Sequence, residues 1–262
     1  MNALITSTDL LQKIHGYLET LALETDQARQ SEEMKRFLEF VAKFHNYSPN
    51  NIFLIMLAKP DATHVMGFNS WKKLNRFVKR GEHGIPIFAP MIHKEDPDKE
   101  DSPKVLNGFR VVYVFDVSQT DGEPLPPIPD WKSPEKNAEL NAKLIRFAES
   151  KGITVTYKEL PGEIQGVSKG GAIDLSPNAG TKTLFHELAH ELMHHGIDGP
   201  NDRNVIEMEA ESVAYAIAKH FGFQNLNCIN YLALYNISSK DISQSINRIV
   251  ECVELIIQGI SS

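Results

Sequence analysis

The chemistry-bearing stretch of this chain is Thr183-Leu184-Phe185-His186-Glu187-Leu188-Ala189-His190-Glu191-Leu192-Met193-His194-His195. His186 to His190 has the spacing H-E-x-x-H. On a helix, side chains four residues apart lie one turn apart on the same face. Two imidazoles placed that way can hold one zinc ion, and Glu187 then stands where it can take a proton from a water that the ion acidifies. A second, overlapping H-E-x-x-H runs from His190 to His194. The first register is preferred, because Leu184 and Phe185 then join Leu188, Ala189 and Leu192 in one apolar stripe behind the histidines. His194 falls one turn beyond the metal, as a helix-end or pocket histidine.

A hydrolytic zinc site takes a third protein ligand and keeps its fourth position for water. The longer pattern H-E-x-x-H-x-x-G-x-x-H fails here, since Met193 stands where it needs glycine and Gly196 where it needs histidine. The remaining donors are the acids of Glu207-Met208-Glu209-Ala210-Glu211. A helix there has Ile206, Ala210, Val213, Ile217 and Phe221 on its core face, with Glu207 and Glu209 flanking that face on opposite sides. Only Glu207 has an acid one turn further along its own stripe. Glu207 is therefore the expected ligand and Glu211 the carboxylate expected to fix a histidine N–H from behind. The reverse assignment is the alternative. The chemistry implied is peptide-bond hydrolysis, with Glu187 accepting a proton and passing it to the leaving nitrogen. The strand Ala172-Ile173-Asp174-Leu175 is either a sheet edge that aligns an extended peptide or a plain structural strand. Tyr215, His220 and Tyr231 are the available oxyanion donors, and none is singled out.

The elements that must position these residues fit a chain of 262 residues, long enough for one large domain or two small ones. It is 42% apolar and 23% charged, the balance of a soluble globular protein. No apolar run is long enough to span a bilayer, and the first residues lack the layout of a signal peptide, so a cytoplasmic protein is expected. A net charge of −7 excludes a globally basic nucleic-acid binder but leaves room for a local basic surface. Cys228 and Cys252 are too few for a disulfide framework and read as reduced core thiols.

Periodicity predicts helices over residues 8–24, with Leu10, Leu11, Ile14, Leu18 and Leu21 inward, and from Ser31-Glu32-Glu33 through Phe37, Phe40, Val41 and Phe44. Pro49 suits the first turn of a third helix. Ser70 is expected to cap a basic helix that Gly81 ends. Residues 85–91 read as a strand with an irregular or edge character, since Pro86 and Pro90 interrupt it. Residues 94–104 read as a solvated loop and 109–117 as a strand. Pro124, Pro126, Pro127 and Pro129 mark the clearest boundary. The expected organisation is a domain over residues 1–120, a Pro-rich linker over 121–134, and a second domain over 135–262. The second opens with a helix from Glu135, continues with short strands near 153–157, 163–167 and 172–175, and ends in four helices near 181–195, 203–221, 225–235 and 239–259.

Two resemblances sit on these residues. His186-Glu187-Leu188-Ala189-His190, the histidine at 194 and Glu207-x-x-Ala210-Glu211 resemble zinc endopeptidases of the gluzincin kind, more closely the ImmA/IrrE type. That likeness implies a mostly helical zincin-like domain with a small sheet, in which His186, His190 and Glu207 bind zinc. The family often carries Asn or Asp where this chain has Glu211. Tyr47-Ser48-x-Asn50-Asn51, Gly67-Phe68-x-x-Trp71-Lys72-Lys73-Leu74, Arg76-x-Val78-Lys79-Arg80-Gly81-Glu82-x-Gly84-Ile85 and the strand at 109–116 resemble the single-stranded-DNA-binding domain of ArdC-like antirestriction proteins, which conjugative elements carry and which protect incoming DNA. The two together imply an α+β chain, a helix-plus-strand domain followed by a metallopeptidase domain. The partners implied are single-stranded DNA and an unidentified protein substrate, with no membrane. Lys72, Lys73, Arg76, Lys79 and Arg80 are the expected phosphate contacts, and Trp71 and Tyr47, with Phe68 and Phe77, the expected stacking faces. Two competing readings stand beside this one. One is a DNA-coating protein with a structural metal. The other is a peptidase whose first domain recognises a protein.

Overall fold

The computed structural model describes residues 5–24, 27–95, 103–125, 137–195, 200, 202–224, 226 and 238–261. Contacts divide the chain into two units, Met1–Tyr17 with Asn50–Pro127, and Leu18–Pro49 with Ile128–Ser262. Residues 18–49 thus group with the second unit, whereas the sequence pattern put them in a first domain of residues 1–120. Most of the Pro-rich segment at 121–134, the loop at 196–201 apart from residue 200, and the helix expected at 225–235 apart from residue 226 lie outside the described residues, as do Cys228 and Tyr231. The architecture is α+β throughout.

Helix α1 (Ser7–Leu23) opens on a reciprocal cap, in which Thr6 N–H donates to Asp9 Oδ2 at 2.8 Å and Asp9 N–H donates to Thr6 Oγ1 at 3.2 Å. It buries Leu10, Ile14, Leu18 and Leu21, while Leu11 is 40% exposed, so the buried stripe is narrower than expected. Helix α2 (Gln27–Phe44) begins one turn before the predicted Ser31 start. Gln30 reaches back to donate to the Leu21 carbonyl at 3.1 Å. Phe37, Phe40, Val41 and Phe44 are buried as the pattern requires.

Helix α3 (Pro49–Ala58), which belongs to the first unit from Asn50 on, starts on its proline, whose missing N–H is an orphan there anyway. Strands β1 (Val65–Gly67), β3 (Ile85–Lys94) and β4 (Lys104–Asp116) form an antiparallel sheet in the order β1-β4-β3. Pro86 and Pro90 lie on β3, an edge strand, and the register shifts between Pro90 and Ile92. Asn51 ties α3 to β3: its Nδ2 donates to the Phe88 carbonyl at 3.0 Å and its Oδ1 accepts from Phe88 N–H at 2.8 Å.

The basic helix expected between Ser70 and Gly81 is not formed as one element. Helix α4 (Phe68–Lys73) is capped at Gly67 with no side-chain bond and stops at Leu74. Asn75 then takes φ 54°, and Arg76–Val78 becomes strand β2, paired antiparallel with β5 (Thr120–Gly122). Gly122 (φ 132°) lets the ribbon close, since a Cβ there would lie 2.2 Å from the Asn75 carbonyl oxygen. Asp116 is buried at the end of β4 and gathers the backbone N–H groups of Thr63 (2.8 Å), His64 (3.0 Å) and Ser118 (2.9 Å).

In the second unit, Asn137 caps α5 (Ala138–Ser150) by accepting from Leu140 N–H at 3.0 Å. Strands β6 (Thr154–Tyr157), β7 (Gly166–Ser168) and β8 (Ala172–Leu175) form a sheet in the order β6-β8-β7, with β8 parallel to β6 and antiparallel to β7. Strand β8 is central, so it is not the edge the sequence allowed it to be. Its Ile173, Asp174 and Leu175 are all buried. The edge strand on that side is β7. Helices α6 (Thr181–Met193), α7 (Arg203–His220) and α8 (Ser239–Ser261) pack together, and α6 also packs on β7 and β8. Among the described residues no helix is long and apolar enough to cross a membrane.

Burial works to raise the Asp116 carboxyl, but the N–H groups of Ser118, Thr63 and His64 outweigh it and hold the pKa below the ordinary value. The stability this gives is complete above the ordinary carboxylate range and is lost as pH falls through the lowered pKa. Asp116→Asn, which turns an amide toward donors, is expected to destabilise the first unit by about 2 kcal/mol in a denaturant melt at pH 7, with a smaller gap at pH 3.

Candidate functional site

Helix α6 buries Leu184, Phe185, Leu188 and Ala189, which leaves His186 and His190 half-buried on the neighbouring stripe. Leu192, expected in the apolar stripe, is only half-buried. The Nε2 atoms of His186 and His190 face each other at 3.0 Å. Glu207, projecting from α7, brings Oε2 to 3.4 Å from His186 Nε2 and 3.6 Å from His190 Nε2. One donor atom from each of the three residues lies within 4.8 Å of the others. Ligands at about 2.0–2.1 Å from a tetrahedral ion are themselves about 3.3 Å apart, so this donor set fits a divalent metal with little movement.

Glu211 has a different place. Its Oε2 lies 3.3 Å from His186 Nδ1, close enough to pair though not aligned as a hydrogen bond, and Lys182 pairs with the same carboxylate. The two acids therefore divide between the two faces of His186, Glu207 toward Nε2 and Glu211 toward Nδ1. Burial alone would lower His186, but the carboxylates of Glu211, Glu187 and Glu207 outweigh it and raise its pKa. The cluster attracts positive charge, which a divalent ion would supply. Burial, with the neighbouring His186, pushes His190 down to about 4, leaving the neutral imidazole that ligation needs.

Glu187 is buried beside this pair, and burial raises its carboxyl above the ordinary value. It is held by the Ser168 backbone N–H from β7. Gly166 is what admits it: a Cβ at 166 would lie 2.7 Å from both Glu187 Cγ and Oε1. The sequence pattern does not single out Gly166, and no local signal marks it, since the approach comes from a separate strand.

The overlapping register is disfavoured by the position of Glu191. Its carboxylate accepts from the backbone N–H groups of Lys169 (2.8 Å) and Gly170 (2.9 Å), from Gly171 (2.6 Å) and from Ser168 Oγ (2.7 Å), which turns it into the β7–β8 turn. Glu209, read from sequence only as a flanking acid, is fully buried and bonded to His194, Ser245 and Arg248.

The open cleft beside these groups measures about 580 Å³ and is lined by Gly166, Val167, Ser168, His195, Arg203 and Ile206 as well as the metal-facing residues. Tyr215 and His220 are not in it. Tyr215 Oη donates to Glu39 at 3.2 Å and His220 Nδ1 faces the Ala42 carbonyl at 2.9 Å, so both serve contacts with α2. Tyr231 lies outside the described residues.

The residues expected to touch nucleic acid divide as well. Lys72, Lys73, Lys79 and Arg80 are exposed. Lys72 Nζ lies 4.9 Å from the Phe68 ring centroid, and Lys79 Nζ donates to the Ser118 carbonyl at 3.0 Å. Arg76 is committed internally: its guanidinium donates to Thr120 Oγ1 (2.9 Å), the Thr120 carbonyl (3.2 Å), the Gly122 carbonyl (3.3 Å) and the Glu123 carbonyl. It latches β2 to β5 and spends four of its five N–H donors on the protein's own groups. Trp71 is 0% exposed, and its Nε1 donates to the Phe115 carbonyl at 2.9 Å, so it offers no stacking face. Tyr47 is half-buried against Phe44 in the second unit. Phe68 and Phe77 are exposed, and so are Phe109 and Tyr113 on β4, which the sequence pattern did not select.

The fold and the site together define an α+β protein with a helix-borne His–His–Glu centre suited to a divalent ion. Residues 8–123 match the family described as the N-terminal domain of anti-restriction factor ArdC. That match covers the part of the chain before the metal-facing helices, and the rest of the chain lies outside it. The chain is 28% identical over 282 aligned positions to the uncharacterized protein pXO2-81 of Bacillus anthracis, covering 87% of this chain but 48% of that protein, so the chain spans about half the length of this curated relative. Two crystal structures of the antirestriction ArdC protein from plasmid R388 are similar. The metal-free form has 17% identity and a TM-score of 0.45 over 82% of this chain and 85% of its own. The Mn(II)-bound form has 16% identity and a TM-score of 0.49 over 88% and 98%.

Metal titration followed by melting should show the second unit gaining stability with zinc or manganese(II). His190→Ala and Glu207→Ala are each expected to abolish that gain. Glu211→Ala, which leaves the three donors in place, is expected to weaken binding by about 10–100-fold.

Proposed function

We propose that the chain is a metal-dependent peptidase of the ArdC-like antirestriction type, cytosolic and working on proteins met at single-stranded DNA. The observation that carries this reading is the gathering of His186, His190 and Glu207 donor atoms within 4.8 Å, beside the buried Glu187 and an open cleft. Two imidazoles and a carboxylate suit zinc best, and the R388 protein in one solved structure holds Mn(II).

A bound divalent ion supplies Lewis acidity, acidifying a water and polarising a carbonyl. The chain does the rest. Glu187, with its pKa raised by burial, accepts a proton at its carboxylate and returns it to the leaving nitrogen. Ser168 N–H and the bare Cα of Gly166 hold that carboxylate in place. Strand β7, one of the two edges of its sheet among the described residues, lines the cleft through Gly166, Val167 and Ser168, where an extended peptide could pair with it. His195 and Arg203 are the polar groups facing the substrate side. In the first unit, Lys72, Lys73, Lys79 and Arg80 supply positive charge and Phe68 and Phe77 supply exposed rings, the combination that binds single strands without reading sequence. A DNA-coating protein with a structural metal is the second reading, favoured only by the family of the first unit.

Glu187→Gln is expected to lower peptide hydrolysis by about 10²–10⁴-fold while metal and DNA binding stay unchanged. Retained hydrolysis in that variant would sink the peptidase reading, and antirestriction protection without hydrolysis would favour the binder. Fluorescence anisotropy across a salt series should show tight binding to single strands over duplex. Lys79→Ala with Arg80→Ala is expected to reduce the log–log salt slope by about 0.7 per lost phosphate contact. Arg76→Ala is expected to loosen the fold of the first unit instead.

A further inference from the structure

Both ring nitrogens of His190 are engaged, and by groups of different kinds. Nε2 faces His186 and Glu207. Nδ1 lies 3.1 Å from Nδ1 of His194. Two ring nitrogens at that distance must be one donor and one acceptor, since two N–H groups would collide and two lone pairs would repel. On its far side His194 brings Nε2 to 3.2 Å from Glu209 Oε2. Glu209 has 0% exposure, so it cannot turn to water for another partner, and the His194 side chain is only 4% exposed although it lines the cleft. The carboxylate accepts only. It is pinned by Arg248 Nε at 3.1 Å, by the other end of that guanidinium and by Ser245 Oγ.

The proton positions follow from this one fixed acceptor. Glu209 takes the hydrogen of His194 Nε2, which leaves the His194 Nδ1 lone pair facing His190. His190 must then carry its hydrogen on Nδ1, and its Nε2 lone pair is left pointing at Glu207 and His186. We propose that His194 and Glu209 are positioning residues, a relay that sets His190 in the one tautomer able to ligate a metal ion. The relay assigns a tautomer to His190 alone: Glu211 Oε2 lies 3.3 Å from His186 Nδ1 without hydrogen-bond alignment, and in the metal-free chain the His186 Nε2, 3.0 Å from the His190 lone pair, is the donor of that pair. The relay deepens the metal reading given above and rests on it. A histidine one turn beyond the ligands, which from sequence alone is a helix-end residue, thereby becomes part of the centre without touching the ion.

The test reads tautomers first. Long-range nitrogen–proton correlation spectra of the full, metal-free chain at pH 8 are expected to show His190 protonated on Nδ1 and His194 on Nε2. Any other pairing, or a His194 carrying both protons, would overturn the relay, and this arm needs no variant. Zinc and manganese(II) affinities are then measured by chelator competition. His194→Phe, which keeps ring volume but removes the acceptor, is expected to lose about 10–100-fold in affinity and to move the His190 proton toward Nε2. His194→Asn, which restores an acceptor near the Nδ1 position, is expected to recover part of both. Equal affinity in wild type and His194→Phe would overturn the relay alone. A wild-type chain that takes up neither ion would overturn the metal centre, and the relay with it.

Discussion

A carboxylate with no access to water has to be fully paired, and Glu209 is such a group. Burial pushes its pKa up, yet His194, Arg248 and Ser245 together outweigh that and hold it below the ordinary value. Removing one of these partners would leave an uncompensated charge in the core, which typically costs about 3–5 kcal/mol. This requirement fixes the rotation of α7 against α6 and α8. Residues two apart on a helix lie about 200° around the axis, so Glu207 and Glu211 both turn to the side opposite Glu209 and come within about 40° of each other. Glu207 then meets the Nε2 atoms and Glu211 meets Nδ1 of His186. The placement of the donor set follows from satisfying a neighbouring acid that is not itself a donor.

The parts of the centre legible in the sequence are those that depend on one helix at a time. His186, Glu187 and His190 share a helical period, and Glu207 and Glu211 share another, so their faces follow from residue spacing alone. The parts that were not legible join separate elements. Arg248 is 39 residues from Glu209, and Gly166 reaches Glu187 from a three-residue strand. Sheet order was hidden for the same reason. Strands as short as β7 and β8 carry too little alternation to reveal which one pairs on both sides, so the sequence could not show that Ala172–Leu175 is central.

The first unit shows where composition misleads. A basic run with no acid reads as one helical face, but chain reversal at Leu74 and Asn75 splits it between α4 and β2. The split assigns Arg76 to the protein's own carbonyls and leaves Lys72, Lys73 and Arg80 exposed. Trp71 is the apolar back of α4, and Phe68 and Phe77 are the rings that remain outside. The basic residues were identifiable from type alone. Their exposure depended on a turn whose φ of 54° falls on an asparagine, a residue that tolerates the left-handed region better than most.

The exposure of the donors bears on whether a metal here would be structural or chemical. Structural zinc sites close around the ion with four protein ligands, whereas catalytic ones keep three and leave a position open. Among the described residues the donor set has three members. The third, Glu207, is 50% exposed at the cleft, while His190 is 12% exposed against the helix. The side left open therefore faces the cleft, where Glu187 and the edge of β7 also lie. A carboxylate buried next to an open coordination side, with a glycine opposite it that no larger residue could replace without displacing it, is costly for a purely structural site to maintain. The same arrangement is what proton transfer at that position requires.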